Sequence, residues 1–119
     1  MPHLVEDPVN VPEPDKYRIT QFLGRQSDPR RDNLSVALEV IESGVRKPQH
    51  FHRASDELFY VVSGSGFLTI EGVQHRLTAG DAYLVEVGQK HFLAAADDEQ
   101  LSVLLVSTPA YEPSDYILC

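Results

Sequence analysis

Residues 44–64, GVRKPQHFHRASDELFYVVSG, contain the group of side chains on which the interpretation of this chain depends. His50 and His52 are two positions apart, and on a β-strand such residues point to the same side, about 7 Å apart. Both imidazoles can therefore reach one ion. Glu57 follows five positions later, an odd offset that places it on the opposite side of an unbroken strand. Residues 53–56, RASD, suit a turn after which Glu57 begins a return strand beside the histidines.

The rest of the chain from residue 16 onward indicates β-structure. Short β-branched and aromatic runs alternate with clusters of Gly, Pro, Asn and Asp, which is typical of strands and tight turns. No stretch shows a helical period. The predicted strands are 17–22, 34–41, 46–52, 57–62, 66–72, 82–87, 91–95 and 101–106. Eight short strands at this spacing predict an all-β barrel or sandwich.

Two of these segments carry more specific predictions. The strand at 34–41 has Leu34, Val36, Leu38 and Val40 on one face and Ser35, Ala37 and Glu39 on the other, which is the pattern of a half-buried strand. The segment 59–70 predicts a hairpin. Its two hydrophobic runs flank Ser63-Gly64-Ser65-Gly66, residues that tolerate the positive φ of sharp turns.

Length and composition predict one domain and exclude some partners. A chain of 119 residues with 42% hydrophobic residues forms one compact core. Four prolines within residues 1–15 predict an extended N-terminal arm, which leaves residues 16–119 as the single domain. A net charge of −8 argues against nucleic acid and anionic membrane surfaces as partners. The single cysteine, Cys119, forms no intrachain disulfide, and a reducing cytoplasm fits this composition.

A second motif adds a fourth candidate ligand and carries a family resemblance. Residues 80–95, GDAYLVEVGQKHFLAA, place His91 after a glycine turn at the start of a predicted strand. With a glycine, His-x-His, Glu and a further glycine at matching spacing in 44–64, the two motifs resemble those of the cupin family. Glu86 and Ala95 depart from the family pattern, since cupins usually have proline and often asparagine there. Neither position holds a candidate ligand.

The resemblance implies a cupin double-stranded β-helix, or jelly-roll barrel, with a metal site inside. It implies that His50, His52, Glu57 and His91 bind one metal ion. Three imidazoles and a carboxylate suit a divalent transition metal, which is Fe, Mn, Ni, Co, Cu or Zn. The alternative is that the four are ordinary polar residues of a sheet surface, or remnants of a former site. The resemblance also suggests a homodimer in which the N-terminal arm is exchanged.

Strand alternation predicts which other side chains surround the site. If Glu57 points inward, then Phe59 and Val61 do so as well, and Leu93 shares the face of His91. Arg46 has the parity of His50 and either reaches an anionic substrate group or lies at the surface. Tyr83 either supplies a hydroxyl group to the pocket or fills the core. We expect His3 and His75 to be exposed.

Two functions remain open from the sequence. The first is a metal-dependent enzyme that acts on a small oxygen-rich substrate as a dioxygenase, decarboxylase, isomerase, epimerase or lyase, with the metal as Lewis acid or dioxygen site. The second is a non-catalytic protein that binds or senses a small sugar or carboxylate. A scarcity of acid and base groups beside the metal would favour binding without turnover.

Overall fold

The computed structural model describes residues 9–11, 17–25, 28 and 30–119, and in this part of the chain the regular structure is β-strand apart from one turn of 3-10 helix at Pro113–Asp115. The strands are β1 (Val9–Val11), β2 (Tyr17–Leu23), β3 (Ser35–Ile41), β4 (His50–Phe51), β5 (Asp56–Ser63), β6 (Ser65–Ile70), β7 (Val73–Thr78), β8 (Ala82–Val85), β9 (His91–Ala95), β10 (Leu101–Thr108) and β11 (Ile117–Leu118). No helix in the described ranges is long and apolar enough to cross a membrane.

The strands form two antiparallel sheets that enclose one core. The six-stranded sheet has the order β1-β2-β3-β10-β5-β8, and the five-stranded sheet has the order β11-β4-β9-β6-β7. Strands adjacent in sequence thus often lie in different sheets, which is the connectivity of a jelly roll. The core between the sheets consists of Ile41, Phe59, Val61, Leu68, Leu77, Val85, Leu93, Ala95, Leu101 and Val103. The all-β fold expected from the sequence is confirmed.

The predicted hairpin over 59–70 is wrong. β5 pairs with β10 and β8, whereas β6 pairs with β7 and β9, so the chain passes from one sheet to the other at Gly64. The hairpin in this region is β6–β7, and its turn residues Glu71 and Gly72 have φ values of 47° and 78°. Positive φ at both turn residues is typical of a type I′ turn, whose backbone twist matches that of the two strands it joins. β7, with the polar sequence VQHRLT, was not predicted because it lacks a hydrophobic alternation.

Two further strand predictions need correction. The predicted strand 46–52 is reduced to His50–Phe51 and an isolated bridge at Arg46, because Pro48 has no N–H to donate to a ladder. β11 lies at the end of the chain in a segment for which no strand was predicted. It pairs with β4 and so brings the C-terminus beside His50.

The half-buried strand β3 has the opposite orientation to the one its apolar pattern suggests. Ser35, Ala37 and Glu39 are buried and point into the barrel, whereas Val36 and Leu38 lie half-buried on the outer face. The pattern fails because the interior at this level is a cavity lined in part by polar groups.

Part of the predicted N-terminal arm is a strand. Residues 9–11 form β1, which pairs antiparallel with β2 in a backbone register that places Val9 opposite Gln21. The other residues of the predicted arm, with His3 among them, lie outside the described residues.

Candidate metal centre

The four candidate ligands come from both sheets and meet inside the barrel. His50 on β4 is paired directly with His91 on β9, and His52 follows two positions after His50. Glu57 is the second residue of β5 in the other sheet, after a turn at residues 53–55. One ligand atom from each residue lies within 4.8 Å of the others, and all four residues are buried. This geometry could hold a metal ion.

Backbone carbonyls fix the orientation of all three imidazoles. The Nδ1 atom of His50 lies 3.1 Å from the Pro48 carbonyl oxygen, and that of His91 lies 2.8 Å from the Gln89 oxygen. The Nδ1 atom of His52 lies 3.0 Å from the carbonyl oxygen of Asp115. A carbonyl only accepts, so each Nδ1 carries a proton and Nε2 is the nitrogen of each ring that is left to bind a metal. Metal-binding histidines are usually held in this way.

The buried Nε2 atoms have no partner of their own in the described structure. Those of His52 and His91 are fully enclosed and make no hydrogen bond with any described residue. They lie 3.7 Å and 3.4 Å from Oε1 of Glu57. The other oxygen of Glu57 accepts a hydrogen bond of 3.2 Å from the Ser107 hydroxyl. Two buried Nε2 atoms without a hydrogen bond, both facing a carboxylate, fit a cation between them.

Burial and neighbouring groups shift two pKa values in this cluster. Burial and, to a smaller extent, the neighbouring His91 lower the pKa of His50 to about 3, against the opposing effect of the Pro48 carbonyl. Burial alone would raise the pKa of Glu57. The adjacent imidazoles, chiefly those of His91 and His52, outweigh this effect and hold the Glu57 pKa below its usual value. The pair of shifts favours a neutral His50 and an ionised Glu57, the forms that bind metal.

The C-terminal segment completes the wall around the histidines. Oδ1 of Asp115 accepts hydrogen bonds of 2.8 Å from the Arg53 N–H and 3.0 Å from the Ala54 N–H, which fixes the turn between His52 and Glu57. The ring of Tyr116 stacks on His50 at 4.1 Å between centroids. Sequence reasoning missed both residues, because they contact the motif from more than 60 positions away.

A cavity of about 420 Å³ lies beside the four residues. Among the described residues, apolar side chains, the four candidate ligands and other polar groups surround this cavity. It is lined by Tyr17, Ile19, Gln21, Ser35, Ala37, Glu39, Lys47, Pro48, His50, His52, Glu57, Phe59, His91, Leu93, Leu105, Ser107, Tyr111, Pro113, Tyr116 and Leu118.

The structure places only some of the predicted pocket residues at the cavity. Phe59 and Leu93 line it, whereas Val61 lies in the closed core below it. Tyr83 packs against the core at the sheet edge, with its ring 5.3 Å from that of His75. His75 is therefore half-buried, not exposed as predicted.

Arg46 lies outside the cavity, and Lys47 takes the inward position. The Arg46 side chain is exposed and its guanidinium lies 4.1 Å from the centroid of Phe92. The parity argument that matched Arg46 with His50 fails because residues 47–49 are not a strand. Lys47 is buried and faces Glu39 across the barrel, a contact between distant segments that local alternation does not predict.

The metal-free protein is expected to lose stability in acid because of His50. Its pKa is about 3 in the folded protein but 6.5 in an exposed histidine, so between these values the unfolded chain binds more protons and stability falls as the pH falls. From pH 7.5 to pH 5 this residue alone should contribute a loss of about 2 kcal/mol. Urea denaturation at both pH values gives the free energy of unfolding, and the difference between the two values measures this loss.

Two variants show whether His50 causes that loss. His50→Asn should reduce the pH-dependent loss by about 2 kcal/mol, whereas His75→Asn, outside the cluster, should leave it as in the wild-type protein. Equal pH dependence of the wild-type protein and His50→Asn would contradict the assignment.

Comparison with known proteins identifies the family. The family model described as a Cupin domain matches residues 37–107. This chain belongs to the cupin family. The match includes all four candidate ligands and the strands that carry them.

Individual relatives agree with this assignment. An uncharacterised protein of Aquifex aeolicus is 35% identical over 86 residues, which cover 71% of this cupin and 68% of the relative. This cupin spans about two thirds of the length of the first curated relatives that it matches.

Solved structures show the same fold at low sequence identity. KdgF from Halomonas sp. matches with a TM-score of 0.76 and 19% identity, over 89% of this cupin and 90% of KdgF. Pac13 from Streptomyces, described as a nucleoside dehydratase, matches with a TM-score of 0.77 and 20% identity, over 100% of this cupin and 90% of Pac13.

Proposed function

We propose that this cupin is a metal-dependent enzyme acting on a small oxygen-rich substrate, with one divalent transition metal bound by His50, His52, Glu57 and His91. The observation that supports it most is the pair of buried Nε2 atoms, on His52 and His91, without a hydrogen-bond partner among the described residues. Leaving a buried polar atom unpaired costs about 1–3 kcal/mol, a penalty that coordination to a metal removes. A relic of a former site would have no reason to keep this arrangement.

The residues around the site would set its charge and its access. One carboxylate and three neutral imidazoles leave a divalent ion with a net charge of about +1, which favours an anionic or oxygen-rich ligand. When bound, the metal supplies Lewis acidity towards a substrate oxygen, or a site for dioxygen if it is iron. Ser107 orients Glu57, and Phe59 and Leu93 provide an apolar wall that excludes water from the reacting group.

The cavity favours an enzyme over a carrier or sensor. The case for binding without turnover was a lack of acid and base groups beside the metal ligands. Tyr111 lines the cavity with its ring 6.3 Å from that of His52, and its hydroxyl is such a group. Among related folds, Pac13 is described as a dehydratase and has been crystallised with uridine, which agrees with a small polyhydroxylated substrate.

Purified protein is expected to contain close to one equivalent of a divalent transition metal. Elemental analysis of protein produced without added chelator measures the content, and reconstitution of the metal-free protein with Fe, Mn, Co, Ni, Cu and Zn ranks the ions. Protein that is purified without metal and takes up none of these ions would contradict the proposal. Metal-loaded protein can then be screened against sugars, hydroxy acids, catechols, thiols and flavonoids by oxygen uptake and by NMR of the products.

We also propose that the outer face of the six-stranded sheet joins two copies of the chain. Leu58, Tyr60 and Leu84 on this face are 38%, 41% and 55% exposed. Leu84 lies opposite Leu58, and Leu104 lies opposite Tyr60, so the four side chains form one continuous patch. The patch is uncharged on a chain of net charge −8, so two copies can meet there without direct charge repulsion. A two-fold dimer pairs the patch with itself.

Replacing Leu84 by lysine is expected to convert the dimer into a monomer, since it would bury one added charge from each copy in the contact. Sedimentation velocity at micromolar concentration measures the molecular mass. Val73→Lys is the matched control, because Val73 is 58% exposed but lies on β7 in the other sheet. A wild-type monomer, or a Leu84→Lys dimer, would contradict the assignment of this face.

A further inference from the structure

A buried ion pair lies in the cavity apart from the candidate metal ligands. Lys47 and Glu39 are only 8% and 1% exposed, and the Lys47 ammonium donates a hydrogen bond to Oε2 of Glu39. Glu39 belongs to β3 of the six-stranded sheet, whereas the Lys47 N–H is bonded to the carbonyl of Leu93 on β9 of the five-stranded sheet. The pair therefore connects the two sheets, and both residues line the cavity.

Cross-linking the sheets does not by itself account for this pair. Removing two charges from water costs several kcal/mol per ion, and well-packed apolar residues at such positions are often equally or more stabilising. The Lys47 ammonium also keeps unused hydrogen-bonding capacity. Within the described residues it has one acceptor, Glu39, and a ring contact with Tyr17 at 4.6 Å, although an ammonium has three donors.

The pair and the metal cluster occupy different levels of the barrel. In the sheet register, Ser35 lies beside Ser107, and Ser107 lies beside Glu57. Glu39 is four residues further along β3 than Ser35, which corresponds to about 13 Å of strand. Between these levels the cavity is lined by apolar side chains such as Ala37 and Leu105.

We infer that Glu39 and Lys47 form a second substrate-binding site that recognises a hydroxyl group on a substrate whose opposite end binds the metal. A hydroxyl group both donates and accepts, so it can donate to the carboxylate of Glu39 and accept from the ammonium of Lys47. A carboxylate has about four lone-pair sites and can accept from Lys47 and from a ligand together.

Charge and spacing define the substrate class. The Glu39–Lys47 pair is neutral as a unit, whereas the metal cluster with its ion carries about +1. The cavity therefore suits a singly charged small acid, such as a carboxylate or enolate, that carries a hydroxyl group several carbons from its charged end. This inference rests on the proposed function, because it places the acidic end on the metal.

Isothermal titration calorimetry of cobalt-loaded protein tests the inference by comparing its affinity for two six-carbon acids. D-Gluconate carries hydroxyl groups along its chain and hexanoate carries none, while both offer the same carboxylate to the metal. Wild-type protein should bind gluconate at least 10-fold more tightly than hexanoate. Lys47→Met and Glu39→Gln should each remove most of this preference and leave hexanoate affinity within 3-fold of the wild-type value.

Further variants separate recognition from folding. Each single variant leaves one buried charge without its partner, so the double variant Glu39→Gln/Lys47→Met, which removes both charges, guards against unfolding. Lys90→Met is the matched control at an exposed lysine and should keep the preference. Metal-loaded wild-type protein without a preference for gluconate, or a folded double variant that retains it, would overturn this inference alone. Wild-type protein that takes up no metal would overturn the proposed function and this inference together.

Discussion

Replacing His52 by alanine is expected to lower the affinity for a divalent metal more than about 100-fold while the barrel stays folded. Loss of a group that merely supports a metal ligand typically costs 10–100-fold, so loss of a ligand itself should cost more. The fold should tolerate the change because His52 lies beyond the end of β4. Within the described residues its side chain makes one hydrogen bond, to the Asp115 carbonyl, which contributes only about 1 kcal/mol.

Competition with a chelator of known affinity measures this effect, and circular dichroism reports the fold. His75→Ala is the matched control. His75 is a half-buried histidine on β7 of the same five-stranded sheet, and it lies outside the cluster. It should leave metal affinity within about threefold of the wild-type value, since distant sites act independently. Unchanged metal affinity in a folded His52→Ala variant would exclude His52 as a ligand.

The candidate site was largely predictable because its information is local. The two-residue spacing of His50 and His52 sets their common direction on a strand, and the turn at 53–56 accounts for the odd offset of Glu57. The family resemblance added His91, which the structure pairs directly with His50. These features follow from short stretches of chain, in which alternation and turn chemistry act without reference to the rest of the fold.

The cavity wall was less predictable because it depends on contacts between distant segments. Lys47 was missed because Pro48 interrupts the strand, so the parity that favoured Arg46 does not hold. Glu39 was placed on the face opposite the apolar residues Leu34, Val36, Leu38 and Val40, which is not the face that a half-buried strand is expected to turn inward. In the folded barrel two of these apolar residues, Val36 and Leu38, cover the outside of the sheet.

The connection between β5 and β6 shows a third limit. The predicted turn at 63–66 is reduced to Gly64, the one residue between β5 and β6. Turn chemistry alone does not say whether the next strand pairs with the last one. In this barrel the chain passes from one sheet to the other at this point. The backbone of Gln100 packs closely against Gly64, and β5 and β6 do not pair with each other.

Replacing Gly64 by alanine is therefore expected to destabilise the protein by more than about 3 kcal/mol. Gly64 has a φ of +83°, and a Cβ atom there would lie 1.8 Å from the carbonyl oxygen of Gln100. That oxygen belongs to the backbone just before β10, the strand that joins β3 to β5. Relieving the clash would shift the centre of the six-stranded sheet, because no flexible side chain can move aside.

Gly72→Ala separates the clash from the backbone conformation. Gly72 has a φ of +78°, close to that of Gly64, but nothing lies within 4 Å of an added Cβ. Alanine there should cost only about 1–2 kcal/mol, the penalty for an L-residue with positive φ. Urea denaturation of both variants gives the difference, which measures the contact with Gln100. Equal losses would mean that the crossing between the sheets is not tightly packed, and that Gly64 is required for its φ alone.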